Sequence, residues 1–249
     1  MKTRPARKLV KAIRSGDIGI VEVLLSDHPG LASERVGKNP RTMLHYATDW
    51  PGNFPNVART IELLCAAGAD VNAGSPHPTN PLVSETPLHW AVSSGDIAAT
   101  EALIVAGADV DPPGGIFDGC FPFEEAIIFE NYDAARVLLA HGATPYLSGA
   151  AALGQQHEVE SYFDVDGNLD LDRTWLSNWK LPRDPQPVLD RAFQFACRAG
   201  HLEIAKYLLE RGADPRAITP TDTTALDWAA DNGHADVVSW LEALVGPSS

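Results

Sequence analysis

Histidine, carboxylate and thiol do most protein chemistry, and this chain holds eight histidines and three cysteines. Three titratable residues stand in one recurring register: His45 in T-M-L-H-Y-A, His89 in T-P-L-H-W-A and Glu124 in F-P-F-E-E-A. Stacked in successive units they would form a ladder, which invites a metal or acid–base reading; with Asp49 added, His45, Asp49, His89 and Glu124 are the candidate catalytic set. No H-E-x-x-H helix occurs, since His157-Glu158 is followed by Val159-Glu160-Ser161, so no metal site is expected. The alternating acids from Asp164 to Asp172 resemble a calcium loop, but Leu169 stands where such a loop needs glycine and Trp175 where it needs an acid. Cys120, near Asp118 and one unit from His89, reads as a small turn residue before a helix rather than a nucleophile. With no phosphate-cradling glycine motif and no nucleophile elbow, no cofactor is expected.

The elements that would position these groups are helices. Thr42, Thr86 and Thr224 each open a copy of T-x-L-[HD]-x-A, and threonine is a good helix N-cap whose following proline in Thr86-Pro87 is pre-set for the first turn. Gly95-Asp96, Gly200-His201 and Gly233-His234 end the first helix of a unit with a residue able to take positive φ. An amphipathic stretch follows, closing on Gly68-Ala69-Asp70, Gly107-Ala108-Asp109, Gly212-Ala213-Asp214 or the variant Gly142-Ala143-Thr144. Each copy therefore specifies two antiparallel helices. Taking the alanine of each motif as marker, units sit at Ala12, Ala47, Ala91, Ala126, Ala151, Ala196 and Ala229, at intervals scattered around about 33 residues.

These motifs resemble the ankyrin family, whose period and T-P-L-H-x-A signature they carry over most of the chain. The resemblance implies an all-α ankyrin-repeat solenoid of about seven helix-turn-helix units with β-hairpin-like loops between them, forming a single domain over 1–249. The units fall near 6–36, 37–75, 82–113, 117–146, 147–167 (degenerate), 187–216 and 220–246, with insertions near 50–55, 74–85 and 164–188. The motif histidines would then be hydrogen-bonding residues that knit neighbouring units. The first and last units depart from the motif as end caps do.

The resemblance also places the two residues after each A-x in a concave groove. Here these include Asp49 and Trp50, Ser93 and Ser94, Ile128 and Phe129, and Arg198. Large apolar groups at Trp50 and at Ile128/Phe129 flank a floor of two serines, a trough to which Phe54, Trp175 and Trp179 in the insertions are adjuncts; exposed apolar surface of this kind marks a binding site. The expected function is a non-enzymatic interaction module, a scaffold, adaptor or inhibitor that grips a protein partner. The alternative is a small-molecule-binding protein or atypical enzyme using the same trough as a pocket closed by the Trp-containing insertions.

Composition sets the partner class. The net charge is −14, yet Lys2, Arg4, Arg7, Lys8, Lys11 and Arg14 crowd an N-terminal segment without an acid, so the rest of the chain is more acidic still. Outside that short basic arm such a body repels phosphate backbones and suits a basic protein partner, so no nucleic acid is expected. Cys65, Cys120 and Cys197 are odd in number and widely spaced, pointing to reduced thiols. No apolar run reaches the length of a membrane span or a signal peptide. A cytoplasmic monomer is the expectation.

Overall fold

The computed structural model describes residues 4–37, 41–117, 119–174, 184–219 and 221–246. Contacts divide the chain into two compact units, residues 1–144 and 145–249. Unit 1 holds four helix pairs: α1 (Arg4–Ser15) with α2 (Ile18–Asp27), α3 (Met43–Ala47) with α4 (Val57–Ala66), α5 (Pro87–Ser93) with α6 (Ile97–Val105), and α7 (Pro122–Ile128) with α8 (Tyr132–Ala140). Inner helices pack in the order α1, α3, α5, α7 and outer helices in the order α2, α4, α6, α8. A two-stranded antiparallel hairpin, β1 (Ser75–Pro76) with β2 (Ser84–Glu85), forms the projecting tip between the second and third pairs.

The helix starts follow from local chemistry. Asp17 and Asp96 accept the backbone N–H groups of Ile20 and Ala99, the orphan donors of α2 and α6. Thr42 does the same for His45 N–H at 3.4 Å. Only the apolar face of each short helix carries it, since a helix of five to seven residues is not stable alone. Leu9, Ile13, Leu44, Leu64, Leu88, Leu103, Phe123 and Leu138 are buried in this stack. Each such side chain contributes about 1.5–3 kcal/mol by leaving water.

Unit 2 holds α9 (Leu147–Ala152) with α10 (Gln156–Ser161), a single turn α11 (Leu171–Thr174), α12 (Pro185–Arg198) with α13 (Leu202–Glu210), and α14 (Ala225–Asp231) with α15 (Ala235–Val245). The degenerate segment thus keeps the two-helix form although it lacks the motif residues. It holds because α9 packs directly on α12, with Leu147, Ala150, Val159 and Tyr162 sharing one core with Phe193, Ala196 and Leu208. Small residues in α9, whose Gly149, Ala150, Ala151 and Ala152 are all buried, let the longer α12 approach. The described start of the insertion after α10 folds back. Asp170 N–H donates to Tyr162 O, Leu169 bridges Phe163, and the Arg173 guanidinium lies 4.5 Å from the Tyr162 ring centre. Trp175 and Trp179 lie outside the described residues.

Glycines at the inner-to-outer turns make room for the next unit. A Cβ on Gly200 would fall 2.5 Å from His234 Nδ1, and one on Gly154 2.7 Å from His201 Cε1. Those rings sit there because His234 Nε2 donates to Arg198 O and His201 Nε2 donates to Ala152 O, satisfying carbonyls that end the preceding inner helix.

Candidate interaction surface

The motif histidines are built into the stack. His45 and His89 are wholly buried. His45 Nε2 donates to Glu85 O at 3.0 Å while its Nδ1 accepts from the Thr42 hydroxyl at 2.7 Å. His89 Nε2 donates to Cys120 O at 3.2 Å, and its Nδ1 accepts from Thr86 N–H at 3.1 Å. Burial lowers both pKa values to about 4, so each ring is neutral with one proton, on Nε2. His89 therefore caps its own helix, His45 holds the threonine that caps its helix, and both donate to backbone carbonyls of the segment that follows. Glu124, in the same register, is also buried, at 1% exposure. Asp49 does not join this row; it lies on the inner-helix face, where Arg14 and Arg41 both donate to it.

The residues expected to line the groove separate into distinct environments. Trp50 is 81% exposed, whereas Phe54, Ser93, Ser94 and Ile128 are half-buried. The 50–55 insertion abuts the serine floor: a Cβ on Gly52 would touch the Ser94 Cβ, and Asn53 N–H donates to Asp96. On the other side Asn131 donates to Val92 O and Ser93 O. Trp50 and Phe129 thus belong to the segments that border Ser93 and Ser94. Phe129 is not isolated, because the Phe117 ring leans on it with centroids 5.5 Å apart.

Arg198 belongs to a separate group in unit 2. Its guanidinium lies 4.8 Å from the Trp228 ring centre and 5.9 Å from that of Phe195, and Arg191 lies 5.4 Å from Phe195. Phe195 and Trp228 meet edge to face. Guanidinium stacked on aromatic rings gains cation–π attraction and is held in one orientation.

Sequence reasoning missed four participants in unit 1. Trp90, the variable residue inside T-P-L-H-W-A, meets His45 edge to face at 5.0 Å and is covered by Arg41 at 4.4 Å. Its indole donates to Glu85, whose carboxyl burial pushes up. Phe117 lies in a turn that no motif flags. One signal was available in the chain: from Thr60 to Ala135 there is no lysine or arginine, while acids recur from Glu62 to Asp133. The Asp164 loop is closed on itself, its carboxylate accepting from Asp166 N–H and Asn168 N–H. Among the described residues no group of three or more His, Cys, Asp or Glu is arranged to hold a metal ion.

Paired antiparallel helices, hairpin tips and histidines donating from unit to unit define an ankyrin-type stack. A model of ankyrin repeats, in three copies, matches residues 56–148 and 174–244, and the chain belongs to the ankyrin-repeat family. It is 27% identical over 264 residues to the Ankyrin repeat and KH domain-containing protein mask-1 of Caenorhabditis elegans. It is also 27% identical over 233 residues to an Ankyrin repeat and KH domain-containing protein of Caenorhabditis briggsae. Each alignment covers 94% of this chain, but the chain spans only 9% and 7% of those relatives. The crystal structure of the human ASB11 ankyrin repeat domain superposes with a TM-score of 0.53 at 20% identity, covering all of both chains; the likeness is one of fold. Ankyrin repeats are in general protein–protein interaction modules. Among the described residues no helix is long and apolar enough to cross a membrane.

Proposed function

We propose that the chain is a non-enzymatic interaction module, an intracellular scaffold, adaptor or inhibitor that grips a basic protein partner through the inner-helix face and hairpin tips of unit 1. The observation that carries this reading is the exposure of large apolar side chains there, Trp50 at 81% and Phe129 at 45%, beside histidines whose ring nitrogens are both engaged. Exposed aromatics cost solubility and are kept where they meet something. A histidine with no free nitrogen and a pKa near 4 is a poor general base at neutral pH. Cys65, Cys120 and Cys197 are all free thiols, which supports a reducing, cytoplasmic setting.

The test is affinity purification from the native cell, comparing the wild-type chain with Trp50→Ala and Phe129→Ala. Both variants should stay folded and release a partner that the wild type retains in stoichiometric amount. Recovery of a tightly bound small molecule and no protein would turn the reading toward a ligand-binding protein.

A further inference from the structure

Backbone bonds tie down the described residues of the turn that leads into α7. Gly114 N–H donates to Gly119 O, Gly115 N–H to Cys120 O, Gly119 N–H to Gly115 O, and the Gly114 carbonyl accepts from Ser84 N–H in the neighbouring hairpin. Glu125, wholly buried, reaches up from α7 and accepts the N–H of Ile116 at 3.1 Å. A carboxyl placed in an apolar interior is costly, and here it is spent on holding one loop amide. Yet the side chains displayed beside these bonds are apolar and exposed. Ile116 is 46% exposed and Phe117 41%, with Phe129 (45%) against Phe117 and Leu82 (45%) beside Gly119 on the adjoining tip. Described residues held by these bonds keep their apolar side chains in the open, and such preorganisation lowers the ordering cost of binding.

The surroundings select the occupant. The patch sits within the stretch from Thr60 to Ala135 that has no lysine or arginine and carries exposed Asp70 and Asp109. We infer that Leu82, Ile116, Phe117 and Phe129 form a docking patch for a cationic segment of a partner protein that seats a large apolar side chain against the Phe117/Phe129 pair. The apolar anchor supplies contact area, and the lysines or arginines flanking it meet the acidic surround. This rests on the interaction-module reading and specifies which surface and which partner chemistry it uses.

A short fluorescein-labelled peptide rich in lysine with one central tryptophan is the probe, read by anisotropy against the whole chain. It should bind the wild type, bind more weakly as salt is added, and lose at least about tenfold in affinity to Phe117→Ser and Phe129→Ser. It should bind Val165→Ser, an exposed change in unit 2, as well as wild type. Thermal melts confirm that the variants are folded, and methyl shifts of Leu82 and Ile116 in the wild type report the site directly. The inference is overturned if the peptide does not bind, if its tryptophan-to-serine or lysine-to-glutamate versions bind equally, or if the Phe117 variant binds normally. Should a native partner be retained by Phe117→Ser but lost by Trp50→Ala, the patch is wrong and the interaction reading survives; should no protein partner be recovered at all, that reading fails as well.

Discussion

At the scale of single residues, the same side-chain types serve opposite ends according to burial. His89 holds a helix start and a hairpin carbonyl at once, so His89→Ala should cost about 1–4 kcal/mol in urea unfolding, since it strands Thr86 N–H and Cys120 O. Trp50→Ala should change stability by less than about 1 kcal/mol, because little of that ring is covered. If Trp50→Ala unfolds the protein, that side chain is core and the exposed-face reading is lost. Titration gives a second residue-level test. His45 and His89 have folded pKa values of about 4, below the free value of 6.5, so the unfolded chain binds more protons and stability falls as pH drops from about 6.5 towards 4. Glu125 runs the other way. Burial first, then the nearby Glu85 charge, raises it to about 8, so the folded state holds the extra proton and stability falls as pH rises from about 4.5 through 8. Glu125→Gln keeps an oxygen for Ile116 and removes that loss; its stability relative to wild type should increase between pH 5 and 8. Parallel profiles for the two proteins would show that Glu125 does not titrate there.

At the scale of elements, neighbouring helix pairs within each unit are joined by side-chain donors that meet backbone carbonyls, as Asn131 meets Val92 O in unit 1 and His234 meets Arg198 O in unit 2. Gly200→Ala should be strongly destabilising, because the position has φ +77° and its Cβ would invade the His234 ring. In a double-mutant cycle, His234→Ala should recover part of the loss by opening the space, leaving the backbone strain; strict additivity would mean the ring and the glycine do not share that site. The described start of the segment after α10 is tied by the Asp170 N–H bond to Tyr162 O and by Arg173, which also pairs with Glu158 at 3.4 Å. Amides from Asp164 to Arg173 should therefore exchange before those of α13, which are packed in the unit 2 core. Equal protection of the two would show that the segment is held by contacts of its own.

At the scale of the whole molecule, the net charge of −14 bears on the partner class proposed above, and the folded loops on where that partner would dock. An acidic chain of net charge −14 should associate faster with a basic partner than with a neutral one, and the on-rate should fall steeply with ionic strength. An association rate indifferent to salt would argue that the contacts are apolar alone. What the sequence determined by itself is whatever rests on neighbours a few residues apart. The Thr86 cap, the helix pairs and a hairpin tip from Gly74 to Glu85 were readable from the motif and its neighbours, and the structural role of His89 followed from the family resemblance; its neutral state did not. The degenerate α9–α10 pair was legible from its amphipathic second helix alone. The tertiary structure decided what depends on chain segments distant in sequence. Arg41 covers Trp90, Glu125 is buried under Ile116, and Phe117 leans on Phe129 because the hairpin at Ser84 hydrogen-bonds the turn at Gly114 and fixes where that turn points. A helical period says which face of an element is apolar; it carries no information on where a glycine-rich turn will put its tip, since that is set by backbone bonds to a neighbouring hairpin 30 residues away in the chain.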